Sequence, residues 1–245
     1  MTNTRRIATI PTDALVDEKL RAGLKQNTGA NNYFNWIYEL CQPFLGEKIL
    51  EIGAGIGDMT SCFQKIALVH ATELSESSRR DLSDRFQNNP NVLVKSIDIF
   101  SPDGETYSSV VLINVLEHIQ DDEKAVEKLR EFIREDGYLI LYSPAFWMLY
   151  SEHDRSIGHY RRYRKWEIRK ILEEAGYEVI KNHYVNLIGG LGWFVYCKLL
   201  NKPANDSGAV GIMNKIVIPI MKAVEKRIRP PFGISLFTVA KSISK

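Results

Sequence analysis

Lys48-Ile-Leu-Glu-Ile-Gly-Ala-Gly-Ile-Gly-Asp58 is the stretch on which the reading of this chain turns. A short apolar run ends at Leu50. Glu51-Ile52-Gly53-Ala54-Gly55-Ile56-Gly57-Asp58 follows, and then Met59, Cys62, Phe63 and Ile66 recur at helical spacing. That order predicts a strand, a glycine turn and a helix. Three glycines let the backbone turn sharply and approach a ligand with no Cβ in the way. A dinucleotide-binding turn places its third glycine where Asp58 stands here, so that pyrophosphate can sit on the helix N-terminus. A carboxylate at that position repels pyrophosphate. With the acidic Glu51 just before the turn, the loop suits a nucleoside that carries positive charge instead of phosphates.

S-adenosyl-L-methionine (SAM) has that character, and the downstream segments agree with it. Leu68-Val-His-Ala-Thr-Glu73 reads as a second strand ending in an acid, and Val92-Leu-Val-Lys-Ser-Ile-Asp98 as a third. Val110-Val-Leu-Ile-Asn-Val-Leu-Glu-His-Ile119 reads as a fourth strand and the turn after it. Together with the glycine turn these segments resemble the class I SAM-dependent methyltransferases, from about Asn31 to Asn186 with a weaker echo near the C-terminus. The resemblance implies a Rossmann-like α/β fold. Its seven-stranded, mostly parallel sheet has helices on both faces and a final antiparallel strand.

The resemblance also implies a cofactor site. Glu51, Gly53, Ala54, Gly55 and Gly57 form its turn; Glu73 and Leu74 meet the ribose; Asp98 and Ile99 meet the adenine; Asn114 and Val115 close the fourth strand. The chemistry is sensible without the family. A carboxylate accepts from two ribose hydroxyls, and Asp98 can accept from an exocyclic amine. Plainer readings stand beside it: Glu73 as a solvated strand end, and Asp98 as the cap of the turn before Ser101-Pro102-Asp103-Gly104.

Length and charge narrow the rest. A chain of 245 residues is long enough for one large domain with its own core. A formal charge of +2 argues against a nucleic-acid partner. The three cysteines, Cys41, Cys62 and Cys197, are far apart and without metal-ligand spacing, which fits a reducing cytoplasm and leaves no metal expected. Arg5-Arg6 leads into a mixed stretch, so no signal peptide is read. The apolar run from Leu187, broken by Lys198, is too short and glycine-rich to span a bilayer.

Residues 1–30 read as an N-terminal arm with a short helix near Asp13 to Leu24, and residues 31–245 as one methyltransferase domain. Helices are expected over Asn31 to Leu45, from the N-cap Ser75 through Leu82 and Phe86 to a stop at Asn88-Asn89-Pro90, over Asp121 to Arg134 and over Trp166 to Ala175. Strands are expected over Tyr138 to Tyr142, Tyr177 to Tyr184 and Ile234 to Ala240. The last two lie unusually far apart. Residues 187–232 therefore read as a helical cap, with helices over Leu187 to Leu200 and Ile212 to Ile228 joined by Asn201 to Gly211.

Candidate acceptor residues cluster after the fifth strand. Phe146 and Tyr150 lie in Ser143-Pro-Ala-Phe-Trp-Met-Leu-Tyr150, and Arg161, Arg162 and Tyr163 in a Gly-His-x-Arg-Arg-Tyr signature shared with some bacterial methyltransferases. Tyr33, before the first strand, joins them. Arginine binds carboxylate or phosphate, and aromatic rings stack on planar substrates. The plainer reading pairs Arg161 and Arg162 with acidic residues that fix the loop. His118, His153 and His159 are rival general bases, although a neutral amine acceptor needs none.

These features predict a SAM-dependent N- or O-methyltransferase of a small planar metabolite, as monomer or homodimer. Two alternatives stay open: a membrane-surface enzyme of a lipid or quinone-like acceptor, and a non-catalytic SAM-binding module. The first draws on the basic, amphipathic stretch Met213 to Arg229, where peripheral membrane contact competes with packing on the domain.

Overall fold

A computed structural model of the protein describes residues 14–27, 30–194, 211 and 213–243. The glycine turn lies where the sequence puts it, between β1 (Lys48–Ile52) and a short α3 (Thr60–Phe63). Before it come α1 (Ala14–Asn27) and α2 (Asn31–Cys41). After it the chain alternates through β2 (Leu68–Thr72), α4 (Glu76–Phe86), β3 (Val92–Lys95), β4 (Tyr107–Ile113), α5 (Asp122–Leu129) and β5 (Ile133–Pro144). Then follow α6 (Glu152–Ser156), α7 (Lys165–Glu174), β6 (Tyr177–Val185), α8 (Leu187–Trp193), α9 (Ile218–Glu225) and β7 (Ser235–Ser242).

The strands form one seven-stranded sheet in the order β3-β2-β1-β4-β5-β7-β6. β7 alone runs antiparallel, between β5 and β6. The expected mostly parallel sheet with a reversed last strand is what the chain builds. Val110, Val111 and Leu112 in β4 are buried, the pattern of a central strand covered on both faces. One core packs Ala125, Val126 and Leu129 of α5 with Ile168 and Leu172 of α7. The other packs Trp36 and Ile37 of α2 with Leu82 and Phe86 of α4 and with Ile218 and Met221 of α9.

Local signals set several boundaries. Ser75 caps α4, its hydroxyl accepting from Ser78 N at 3.3 Å. Gly176, at φ +82°, ends α7. Others differ from the sequence reading. The helix expected to reach Arg134 stops at Leu129. A 3₁₀ turn follows, and β5 begins at Ile133 instead of Tyr138. Phe132 and Ile133 are buried in either register, so helical periodicity does not distinguish the two. β3 ends at Lys95, and Asp98 lies in the turn beyond it. The helix after the glycine turn is one turn long, which leaves Ile66 46% exposed.

In the region 187–232, α8 begins where expected, and a π-helical turn over Met213–Val217 leads into α9. Residues 201–210 of the predicted joining loop, with residues 195–200 of the first helix, lie outside the described residues, as do residues 1–13 and 28–29 of the arm. α1, assigned to that arm, packs back on the sheet's carboxyl edge. Arg21 grips Asp81 with Nε at 3.0 Å from Oδ2, and Leu24 lies over Gly55.

Candidate functional site

Gly53, Gly55 and Gly57 all have positive φ, at +69°, +57° and +89°. Their reasons differ. A Cβ at Gly53 would lie 2.5 Å from a methyl of Val115, the residue after β4. One at Gly57 would lie 2.4 Å from the ring of Phe86. The first glycine keeps the turn close to the end of β4; the third seats it against α4. Glu51 is buried beneath the turn and accepts from Thr60 Oγ1 at 2.6 Å. Burial pushes its carboxyl up to about 8. The carboxylate of Asp58 pairs with Arg85 at 2.9 Å, so its negative charge is matched by a guanidinium.

Glu73 reaches back from the end of β2 to the turn. Its Oε2 accepts from Gly55 N at 2.9 Å and its Oε1 from Ser75 N at 2.8 Å. Burial raises its carboxyl, and these backbone donors oppose the rise. The neighbouring Leu74 is 49% exposed. Asp98 is exposed and accepts from Phe100 N at 2.9 Å, the turn-capping bond of the plainer reading, while Ile99 is buried. Asn114, at φ +54°, donates its N–H to Tyr142 O at 2.7 Å and stands exposed at the end of β4. Glu73, the glycine turn and Asn114 thus share the carboxyl edge of β1, β2 and β4. That is where open parallel sheets bind ligands.

On the same edge, Tyr33 Oη lies 3.4 Å from Tyr142 Oη. Burial raises both phenols, so both stay protonated at neutral pH. Phe146 stacks on Tyr184 at 4.5 Å, and Trp147 on Tyr150 at 5.0 Å. Trp147 and Met148 are 56% and 65% exposed.

The signature loop behaves differently from the acceptor-binding expectation. Arg161 pairs with Asp122 and donates to Gln120 O at 2.6 Å. Arg162 is buried, with Nε 2.8 Å from Asp154 Oδ1 and Nη2 3.0 Å from Oδ2, a two-pronged ion pair. Tyr163 is also buried and donates to Asp122 Oδ2 at 2.7 Å. Arg161 and Tyr163 hold the loop against the segment after β4, and Arg162 holds it to α6, so the arginines pair with acids as in the plainer reading. Tyr150 joins them by donating to His159 O at 2.7 Å.

The histidines lie in the same network. His159 Nδ1 sits 2.9 Å from Asp154 Oδ1, and its Nε2 faces Glu117 Oε1 at 3.8 Å. His118 meets His159 edge-to-face at 4.6 Å. Burial lowers His118 to about 3, so it is neutral at physiological pH. His153, half-buried, is also lowered by burial. Glu117 is fully buried, and no described side chain hydrogen-bonds either carboxylate oxygen. Burial raises its carboxyl to about 7. Glu117, His118 and His159 offer ligand atoms within 4.8 Å of one another. The sequence suggested no such cluster, because the fold joins two distant segments to make it.

Glu117, Asp154, Asp122 and Tyr142 belong to these networks without lying in any of the expected site positions. Glu117 carries a visible signal, a lone acid inside the apolar run from Val110 to Ile119. A separate cleft of about 770 Å³ opens between α2 and α9, lined by Asn35, Glu39, His183 and Lys222 and by none of the expected cofactor residues.

The family model described as a methyltransferase domain matches residues 12–182. The chain belongs to this family. It is a class I SAM-dependent methyltransferase, and S-adenosyl-L-methionine is its cofactor. No curated protein matches it in sequence. Among solved structures it is similar to a SAM-dependent methyltransferase from Aquifex aeolicus, at 18% identity and a TM-score of 0.50, covering 60% of this chain and 82% of that one. It is similar to coclaurine N-methyltransferase bound to N-methylheliamine and S-adenosylhomocysteine, at 17% identity and a TM-score of 0.56 over 84% and 70% of the chains. The CurJ carbon methyltransferase is similar at 16% identity and a TM-score of 0.52, over 82% and 50%. At these identities the likeness is one of fold. Acceptor atoms differ even between the last two, nitrogen for one and carbon for the other. No described helix of this methyltransferase is long and apolar enough to cross a membrane.

Proposed function

We propose that this methyltransferase moves the methyl group of SAM to a nitrogen or oxygen atom of a small acceptor with a planar or aromatic surface. The observation that carries the acceptor class is the loop after β5. Trp147 and Met148 stand exposed at the carboxyl edge, and Trp147 is braced by its stack on Tyr150. An exposed ring and a polarizable thioether suit a flat apolar partner.

The cofactor residues fit SAM. Gly53 leaves half-buried backbone at the turn for the methionine portion, and Leu24 of α1 packs over Gly55 beside it. Glu73 uses one lone pair of each oxygen on backbone N–H groups, and a carboxylate has about four acceptor sites, so ribose hydroxyls can still bind. Asp98, exposed with one oxygen engaged, can take the adenine amine. Asn114 and Val115 flank the methionine end. Bound SAM supplies an electrophilic methyl on a positively charged sulfur. The chain's own part is to align the acceptor and keep water out.

His118 and His159 are tied into the Asp154–Glu117 network, and Tyr33 and Tyr142 are held protonated. This favours a nucleophile that needs no base, such as a neutral amine, over a hydroxyl. The test incubates the protein with SAM and matched panels of aromatic and aliphatic amines and phenols, reading S-adenosylhomocysteine by mass spectrometry. Aromatic amines should turn over best, and Trp147→Ala should raise the acceptor KM with SAM affinity unchanged. Turnover confined to aliphatic acceptors, or a KM indifferent to Trp147, would sink the acceptor assignment.

A further inference from the structure

α9 carries its apolar residues on two faces. Inward, Ile218 and Met221 are buried against α2, and Glu225 accepts from Asn186 N at 3.1 Å and Leu187 N at 2.9 Å. Outward, Ile216, Ile220, Val224 and Ile228 are 57%, 54%, 44% and 67% exposed. They follow one another at i, i+4, i+8 and i+12, a continuous stripe along the helix and its two ends. A helix on a globular domain normally turns its polar face to water. Here an apolar stripe faces outward as well as inward. Ile188, Phe194 and Phe232, from the same region, are also exposed, at 41%, 39% and 41%.

The charges beside the stripe have one sign. Between residues 213 and 232 the basic residues are Lys215, Lys222, Lys226, Arg227 and Arg229, and the single acid is Glu225, turned inward. Lys222 and Lys226 pair with Glu39 of α2. Lys215, Arg227 and Arg229 are exposed at the two ends of the stripe.

We propose that this face docks on an anionic lipid surface. Ile216, Ile220, Val224 and Ile228 enter the boundary between headgroups and acyl chains, and Lys215, Arg227 and Arg229 meet the headgroups. An apolar stripe edged with cations is the pattern of a helix lying in that interface. A second copy of the chain fits less well. A two-fold interface places the same patch on both sides, so the cations would face their own copies with no acid to offset them.

The docking face is joined to the carboxyl edge of the sheet. α8 leaves β6 at that edge and β7 returns there at Ser235. Asn214, one turn before α9, accepts from Tyr33 N with its Oδ1 at 3.1 Å, and Tyr33 reaches Tyr142 at the same edge. Lipid binding by this face does not depend on which acceptor is methylated.

The test is co-sedimentation of the full chain with phosphatidylcholine vesicles and with equimolar phosphatidylcholine–phosphatidylglycerol vesicles. Binding should favour the anionic vesicles and weaken as salt is added. Replacing Ile216 and Ile220 together by Ser should reduce it about tenfold or more, and Arg227→Glu with Arg229→Glu should abolish the preference for anionic lipid. All four positions are exposed, so melting temperature and SAM affinity should hold and separate lost docking from lost folding. A wild-type chain that stays in the supernatant overturns the proposal, as does unchanged binding by the Ser variant. A dimer that the Ser changes dissociate, with no vesicle binding, assigns the face to a second copy instead.

Discussion

Gly55 donates its backbone N–H to Glu73 Oε2 at 2.9 Å, which ties the glycine turn to the acid at the end of β2 before any ligand bonds either. A carboxylate held by backbone donors keeps its place and loses little freedom on binding. Glu73→Ala should weaken SAM binding by about 1.5–3 kcal/mol, the range for hydrogen bonds to a charged group. Titration calorimetry with SAM and S-adenosylhomocysteine measures this. An unchanged dissociation constant would place the ribose elsewhere. Asp98→Ala should cost less, since an adenine amine is a single neutral donor.

Arg162 and Asp154 form the buried pair that fixes the signature loop. Arg162→Ala takes the guanidinium from buried Asp154, which keeps only His159 and Ser151 as partners, and should cost about 3–5 kcal/mol of stability. Denaturant unfolding gives the value. If the arginine met the acceptor instead, the acceptor KM would rise with stability unchanged.

Burial alone would raise the carboxyl of Asp154, but His159 and Arg162 outweigh it and hold it at about 2, below its unfolded value. A depressed carboxyl stabilises the fold above its unfolded pKa and loses that contribution as pH falls through the folded one. The wild type should therefore lose stability between about pH 4 and 2. Asp154→Asn should lack that part of the loss, which thermal melts across the range can read.

Glu117 titrates with the opposite sign. Burial raises it to about 7, so the folded state prefers the neutral acid. Its contribution is full below the unfolded pKa of about 4.3 and declines as pH rises towards 7. Glu117→Gln keeps the neutral shape without the titration. Its melting temperature relative to wild type should rise between pH 5 and pH 8, and a constant offset would show that Glu117 does not ionise in that window.

Gly57→Ala should destabilise by about 1–3 kcal/mol, because its Cβ would press on Phe86 and Leu82 and φ is +89°. Gly104, also at positive φ but with nothing near its Cβ, is the control for backbone strain alone. Equal losses at the two positions would exclude the packing term.

The glycine turn, Glu73 and the order of strands were legible because each is written in a short run of neighbouring residues. The ends of β3 and α5 were not. Phe132 and Ile133 satisfy a helix and a strand equally, and the chain's choice depends on Tyr107, which pairs with Ile133. The Glu117–His159–Asp154–Arg162 network was hidden for a different reason. Its members are polar residues from separate loops, brought together by the parallel bridge between Ala145 and Tyr163 and by the Tyr160 N–H, which donates to Glu117 O at 2.9 Å. Sequence could offer Arg161 and Arg162 both as acceptor ligands and as structural pairs. Asp122 and Asp154, their partners here, carry no local mark of that role.

β7 fills the space between β5 and β6 although both precede it in the chain. During synthesis, a ribosome that has released residues only through β6 has made two parallel strands with a gap one strand wide between them. Tyr138 to Pro144 and Tyr177 to Val185 then present unpaired backbone edges until Ser235 to Ser242 arrives. Such edges template intermolecular pairing. The emerging polypeptide therefore passes through an interval in which chaperone protection should decide its yield, and that interval lengthens with every codon inserted between β6 and β7.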